Sequence, residues 1–286
     1  MPEPCGPPEL ASALTALAAD PGRAPVLLAL DFDGTLAPLQ DDPELSRILP
    51  AGVVVLRRLA DAGVHLALVS GRGLTTLARL AEVPVGTVLV GSHGAELGRV
   101  HQVDQPGAPE GSQRRPVLAS LDGAAPPLTA AQADLLETAG AQLSQIARGR
   151  HGVWVETKPA AVVVHARLAT ADVAEQALTQ ARTVGARLGT HVLEGKDVVE
   201  LSVVDVDKGT AVTAVRTEVG ATTVVYAGDD RTDENALAAL RPCDLGIKVG
   251  AGETHAAYRL PDPQAMVTAL EVLADAVTGT GAHRTR

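Results

Sequence analysis

Aromatic residues are almost missing from this chain of 286 residues, which has one Phe, one Trp and two Tyr. The core must therefore be built from Val, Leu and Ala. A stack of several rings cannot hold a ligand either, so polar groups would do most of the work of recognising a carbohydrate. Cysteine is scarce: only Cys5 and Cys243 occur. That excludes a disulfide framework and any zinc spacing, and it suits a reducing cytoplasm. No uninterrupted apolar run approaches the ~20 residues of a membrane span. The opening MPEPCGPPEL has neither the basic nor the apolar part of a secretory signal. Positive charge is also short, with 24 Lys and Arg against 34 Asp and Glu and a net charge of −10. This argues against nucleic acid and anionic membranes as partners. An anionic ligand would need local cations to overcome the global field.

What the chain does have is a rhythm of short apolar runs. Val26–Leu30 ends in Asp31-Phe32-Asp33-Gly34-Thr35, and its length and polar boundary read as a buried strand. His65–Val69 ends in Ser70-Gly71-Arg72, and Thr87–Val90 ends in Gly91-Ser92-His93-Gly94. Helical patterns over 52–62 and 74–81 lie between them, and a weaker one covers 10–19. Strand and helix alternating at this spacing predict a parallel sheet. The rhythm resumes after 205, with a helix opening at Lys208-Gly209, a strand over 222–227 ending in Gly228-Asp229-Asp230, and a helix over 233–240. A strand over 243–249 and a helix over 263–277 follow.

Between these halves the pattern changes. Residues 102–128 read as linker or loop. A helix over 129–147 is followed by a hairpin, 151–158 with 161–167. A second helix over 171–184 is followed by a second hairpin, 186–193 with 197–203. This αββαββ unit predicts an α+β domain inserted into an α/β, Rossmann-like core. The expected division is 1–108 and 205–286 for the core and 109–204 for the insert, with hinges near 102–112 and 203–206.

The end of a parallel sheet collects the ends of its strands, which is where ligands bind. In a strand, residues i and i+2 share a face, so Asp31 and Asp33 stand side by side there. One can attack phosphorus and the other can move the leaving-group proton. Amides after Asp31, over Gly34 and Thr35, can hold phosphate oxygens together with the Ser70 hydroxyl and the Gly71-Arg72 segment. Lys208 supplies a fixed cation. Asp31, Asp33, Asp229 and Asp230 together repel one another unless a hard cation such as Mg²⁺ binds them. Two roles stay open for Arg72, orienting a site carboxylate or starting a helix. His93 either touches a ligand or fixes its loop, and Asp233 either caps a helix or supports the metal. Glu234 reads as a surface residue. His65, His101, His151, His191 and His255 have no metal-site spacing.

In order along the chain, DFDGTLAP (31–38), SGR (70–72), DKG (207–209) and GDDRTDENA (228–236) resemble the haloacid dehalogenase superfamily of phosphatases. Together with GSHGAE (91–96), VETKPAAVVVHAR (155–167) and GKDVVEL (195–201), they most resemble its trehalose-6-phosphate phosphatase branch. Asn235 and Leu237 depart from that pattern, where Asp and Phe are usual. The resemblance implies Mg²⁺-dependent hydrolysis of a sugar phosphate by a core of haloacid dehalogenase type. The inserted domain would act as a cap that closes over the substrate. It implies that Glu156, Lys158, Lys196 and Glu200 contact the sugar, with His93, Gly94, His165 and Arg167 beside them. Periodicity alone places Trp154, Glu156 and Lys158 on one strand face, opposite Val153 and Val155. A monomer acting on a small molecule is expected. Another sugar phosphate (sucrose phosphate or mannosylphosphoglycerate) is the nearest alternative, ahead of a non-catalytic binding module or a mutase.

Overall fold

The computed structural model describes residues 4–20, 22, 24–101, 127–195 and 197–281. These fall into two compact units, divided after residue 101 and again between Val206 and Asp207. The expected opening boundary at 109 and the first hinge lie outside the described residues, as does Lys196.

The first unit is a seven-stranded sheet with helices on both faces. Its elements before the insertion are α1 (Pro7–Ala19), β1 (Val26–Leu30), α2 (Pro50–Asp61), β2 (His65–Val69), α3 (Leu74–Leu80), β3 (Val88–Gly91) and β4 (Glu96–Arg99). After it come α6 (Lys208–Val219), β9 (Thr223–Gly228), α7 (Asp233–Ala238), β10 (Leu245–Val249), β11 (Tyr258–Leu260) and α8 (Pro263–Gly281). The strand order is β11-β10-β9-β1-β2-β3-β4. All pairs are parallel except β3 with β4. β1 is fully buried and central, as its unbroken aliphatic run VLLAL requires. Because α1, α2 and α8 cover one face and α6 and α7 the other, no strand in the middle of the sheet reaches water.

The chain winds outward from β1 in opposite directions, through β2 and β3 on one side and through β9 and β10 on the other. The β1–β9 boundary is therefore the switch point of the sheet, where a crevice must open. Leu30 is in register with both Leu68 and Ala227. The segments after β1, β2 and β9 consequently emerge at one level.

The second unit contains α4 (Ala130–Ala147), β5 (Trp154–Lys158), β6 (Ala161–His165), α5 (Ala171–Leu188), β7 (His191–Gly195) and β8 (Val198–Ser202). Its antiparallel sheet has the order β5-β6-β8-β7. Thr129 caps α4 through a reciprocal capping box with Gln132, a sequence-legible start. Val162, Val164, Val199 and Leu201 form one sheet face and pack against Leu143, Ala177 and Ala181 of the two helices.

Four elements differ most from expectation. α5 runs to Leu188, not 184, and the following strand starts at His191, not 186. Ala181, Val184 and Leu188 carry the helical stripe onward, and Gly189 stops it with a left-handed φ of 71°. β4 and β11 were not anticipated. Each is an edge strand of three or four residues, too short to show a period of two.

Candidate active site

Asp31 is the first residue beyond β1, and its amide donates to the Ala227 carbonyl at 2.9 Å. This last ladder bond fixes the carboxylate at the crevice, 4% exposed. Lys208 reaches it from the first turn of α6. The Lys208 ammonium is 2% exposed and donates to Asp31 Oδ1 at 2.8 Å and to Asp233 Oδ1 at 2.7 Å. Asp230 Oδ1 stands 3.9 Å away. A buried lysine would normally shed its proton; these carboxylates outweigh burial and raise its pKa, Asp233 contributing most and Asp31 next.

The Asp31, Asp229 and Asp233 carboxylates lie within 4.8 Å of one another. Burial drives the Asp31 pKa well above the usual carboxylate range, Lys208 opposes it, and Asp233 and Asp229 add to the rise. Asp229 is pushed up to about 7 by burial, then by Asp233 and Asp230. Asp230 goes the other way. Burial is outweighed by Lys208 and by hydrogen bonds from Asp233 and Thr232, which hold it well below the carboxylate range. Gly34 makes the approach of Asp229 possible. Its φ is +75°, and a Cβ there would sit 2.0 Å from Asp229 Oδ2.

The cluster differs from the expected metal set at two positions. The Asp33 carboxylate is taken by Arg72, whose Nε and Nη2 bind its two oxygens at 2.5 and 2.7 Å. This fork resolves the choice for Arg72 in favour of orienting a carboxylate. Ser46 Oγ accepts from the same guanidinium at 3.0 Å, and the Phe32 ring lies 5.5 Å from it. Asp230 Oδ1 instead accepts from the Thr232 amide and hydroxyl and from the Asp233 amide. Asp233 completes the triad in their place, and it is fully buried. Oδ2 accepts from the amides of Asp229 and Asp230, each at 3.0 Å, and Oδ1 accepts from Lys208 and from the Tyr226 hydroxyl. Asp233 is thus a pin for the turn after β9, not a cap for α7.

The loop after β2 carries the expected anion-side groups. Ser70 is 2% exposed, and its hydroxyl accepts from the Arg72 amide at 3.2 Å. A Cβ at Gly71 would meet His93 Cε1 at 2.5 Å, so the His93 imidazole packs on the Gly71 backbone. Ser92 and His93 hold positive φ values of 47° and 56°, a costly conformation for non-glycine residues. Glu96, 8% exposed, keeps it in place by accepting from the Ser92 hydroxyl at 2.6 Å and the Leu74 amide at 3.1 Å. Gly94 follows in the same turn, its backbone close to the Asp207 carbonyl. Among the described residues, the buried Thr35 hydroxyl has no hydrogen-bond partner.

Sequence reasoning missed Tyr226, Glu96, Lys248 and the pinning role of Asp233. Tyr226 lies inside a strand and reads there as a β-former, and Glu96 opens β4, which is too short to be read from the sequence.

In the second unit, residues Trp154, Glu156, Lys158, Val163, His165, Val198 and Glu200 share the sheet face turned away from α4 and α5, by register. Lys158 Nζ donates to Glu200 Oε2 at 2.6 Å, and both side chains are under 10% exposed. His165 Nε2 is 2.7 Å from Glu156 Oε2. The Trp154 ring stacks on His165 at 4.8 Å, with Arg167 5.2 Å from its centre. Of the expected sugar-side residues, Glu156, Lys158, His165 and Glu200 thus share one sheet face of this unit, and Arg167 lies over Trp154 beside it.

A central strand ending in a buried aspartate, with a lysine on a following helix and an acidic turn on the neighbouring strand, defines the haloacid dehalogenase fold. A solved haloacid dehalogenase-like hydrolase from Bacteroides thetaiotaomicron superposes over 86% of this chain and 97% of its own, with 16% identity and a TM-score of 0.58. The trehalose-phosphatase family profile matches residues 29–264, and the chain belongs to that family. A trehalose-phosphate phosphatase of Mycobacterium avium is 34% identical over 89% of the chain. The same identity over 88% of the chain holds for a Mycobacterium tuberculosis protein described as an uncharacterized glycosyl hydrolase. The chain spans 63% and 18% of these two relatives' lengths. The C-terminal domain of Candida albicans trehalose-6-phosphate phosphatase shares the fold, with 20% identity, a TM-score of 0.70, and coverage of 94% of this chain and 96% of its own.

Proposed function

We propose that the protein is a Mg²⁺-dependent phosphatase that hydrolyses trehalose 6-phosphate to trehalose and phosphate. The observation that carries the reaction class is the buried Asp31 carboxylate, held 2.8 Å from a permanently charged Lys208 beside Asp229. Family membership carries the choice of sugar.

The donor set suits a hard cation: it is all oxygen, and burial, with the neighbouring carboxylates adding to it, penalises the charged forms of Asp31 and Asp229, a penalty that a cation would relieve. Asp31 and Asp229 would hold it, since both Asp233 oxygens already accept from protein donors. A bound Mg²⁺ would neutralise charge on the phosphoryl group.

The chain's own residues account for the rest. Asp31 attacks phosphorus, and the bond from phosphorus to the sugar oxygen breaks. Asp33, protonated once the substrate draws one of its oxygens out of the Arg72 fork, gives that proton to the departing alkoxide. It then takes a proton from water, which attacks the aspartyl-phosphate. The bond to Asp31 breaks, phosphate leaves, and both carboxyls are restored. Lys208 opposes the burial that disfavours the Asp31 anion and favours its charged, nucleophilic form. The amides over Gly34 and Thr35, with Ser70, Gly71 and the buried Thr35 hydroxyl, hold phosphate oxygens. His93, Gly94, Glu156, Lys158, His165, Arg167, Lys196 and Glu200 recognise the sugar. The enzyme acts as a monomer in the cytoplasm; the first unit alone carries every group used in the chemistry, and having only two cysteines, both exposed, suits a reducing compartment.

The test is a panel of sugar phosphates assayed for phosphate release with Mg²⁺ and with chelator. Trehalose 6-phosphate should have the highest kcat/KM, and chelator should abolish release. A preference for sucrose phosphate or mannosylphosphoglycerate would overturn the substrate, and release in chelator would overturn the metal.

A further inference from the structure

Lys248 lies in β10, in register with Gly228, the last residue of β9. It is 3% exposed, a costly position for an ammonium without partners. Its partners belong to the turn after β9. Nζ donates to the Asp229 carbonyl at 2.7 Å and to the Asp230 carbonyl at 3.3 Å. It also stands 3.4 Å from Glu234 Oε1. Glu234 Oε2 in turn accepts from the His255 amide at 2.9 Å, with His255 Nδ1 at 3.3 Å.

The Asp229–Asp230 turn is therefore gripped from two sides. Asp233 takes its amides, and Lys248 takes its carbonyls. Glu234 is not a surface residue as its sequence context suggests; its side chain is 17% exposed and ties Lys248 to the loop between β10 and β11. We infer that Lys248, braced by Glu234 and His255, is a positioning residue that sets the Asp229 carboxylate for cation binding. A main-chain turn with a donor removed from its carbonyls can rotate its peptide groups. A rotation there swings Asp229 away from Asp31. Loss of an outer partner of a metal ligand commonly weakens metal affinity about 10–100-fold.

The inference rests on Asp229 being a cation ligand, as proposed above, and the experiment separates the two. Mn²⁺ binding to the purified protein is measured by electron paramagnetic resonance, alongside the activating Mg²⁺ concentration and the KM for sugar phosphate. Wild type should bind one ion, and Asp229→Asn should lose it. Lys248→Met should weaken Mn²⁺ binding about tenfold or more and raise the activating Mg²⁺ concentration in step, while KM stays within about twofold. Glu234→Gln keeps the shape of the brace and should weaken Mn²⁺ binding about threefold, because a charge-assisted contact becomes neutral. It decides the matter if Lys248→Met does not fold. Equal affinity of wild type and Asp229→Asn would overturn the ligand reading and the brace with it. Loss in Asp229→Asn with undiminished affinity in Lys248→Met, or in Glu234→Gln where that variant decides, would overturn the brace alone.

Discussion

Asp31→Asn should abolish turnover and at the same time stabilise the metal-free protein. The magnitude follows from the neighbours. At an effective dielectric constant of about 20, the 2.8 Å contact with Lys208 attracts by about 6 kcal/mol. Asp229 and Asp233, each within 4.8 Å, repel by about 3.5 kcal/mol apiece, or about 7 kcal/mol together. The surroundings are thus net unfavourable by about 1 kcal/mol, and burial of the carboxylate adds to that, in keeping with its raised pKa. Asn has nearly the same shape and no charge, and Lys208 keeps Asp233. The variant should gain about 1–2 kcal/mol in chelator near neutral pH, or about 2–8 °C in Tm. Saturating Mg²⁺ should close the gap, since only wild type gains fully from binding. Turnover should fall by at least about three orders of magnitude, as expected for a lost nucleophile. Calorimetry in chelator and in Mg²⁺, with phosphate release on the same samples, checks both. A chelated variant less stable than wild type would refute the electrostatic account, and substantial residual turnover would refute the nucleophile.

Three further outcomes follow from the same geometry. Arg72→Ala frees the Asp33 carboxylate and should cut kcat by about 10²–10⁴, the usual worth of a positioned acid/base; an unchanged kcat would show that Asp33 needs no fork. Glu156→Ala with Lys158→Ala should damage turnover of trehalose 6-phosphate far more than that of a small aryl phosphate, and equal losses would remove these residues from sugar recognition. In chelator, stability should fall as pH rises through about 7. Asp229 has a folded pKa raised to about 7, so its contribution is whole below the unfolded value near 3.9 and is lost as the folded group ionises. Mg²⁺ or Asp229→Asn should flatten that slope, and Tm values in chelator that rise steadily across it would contradict the assignment.

Much of this was legible in the residues. VLLAL has no alternation, so β1 had to be central and buried, and its position dictates where Asp31 emerges. Ser70, Lys208 and Asp229 could then be gathered from strand ends and a helix start. Pairing partners were harder to read. Nothing in DFDGT says that Arg72, across the neighbouring strand, holds Asp33, and nothing in GDDRTD says that the last Asp serves the turn before it. Those contacts depend on side-chain directions in a packed layer. Lys248 was invisible for a related reason: a lysine in a strand reads as an edge or surface residue until its register with Gly228 is known. α5 outran its expected end because Ala186-Arg187-Leu188 fits either period, and the tertiary stripe to Leu188 decided it.

The most direct measurement is the mass of the peptide bearing Asp31 after acid quench of Asp33→Asn mixed with trehalose 6-phosphate. The account predicts one phosphoryl group on Asp31, removed by mild alkali and absent when Asp31 is also Asn. Phosphate released from trehalose 6-phosphate with Asp31 unmodified would contradict it.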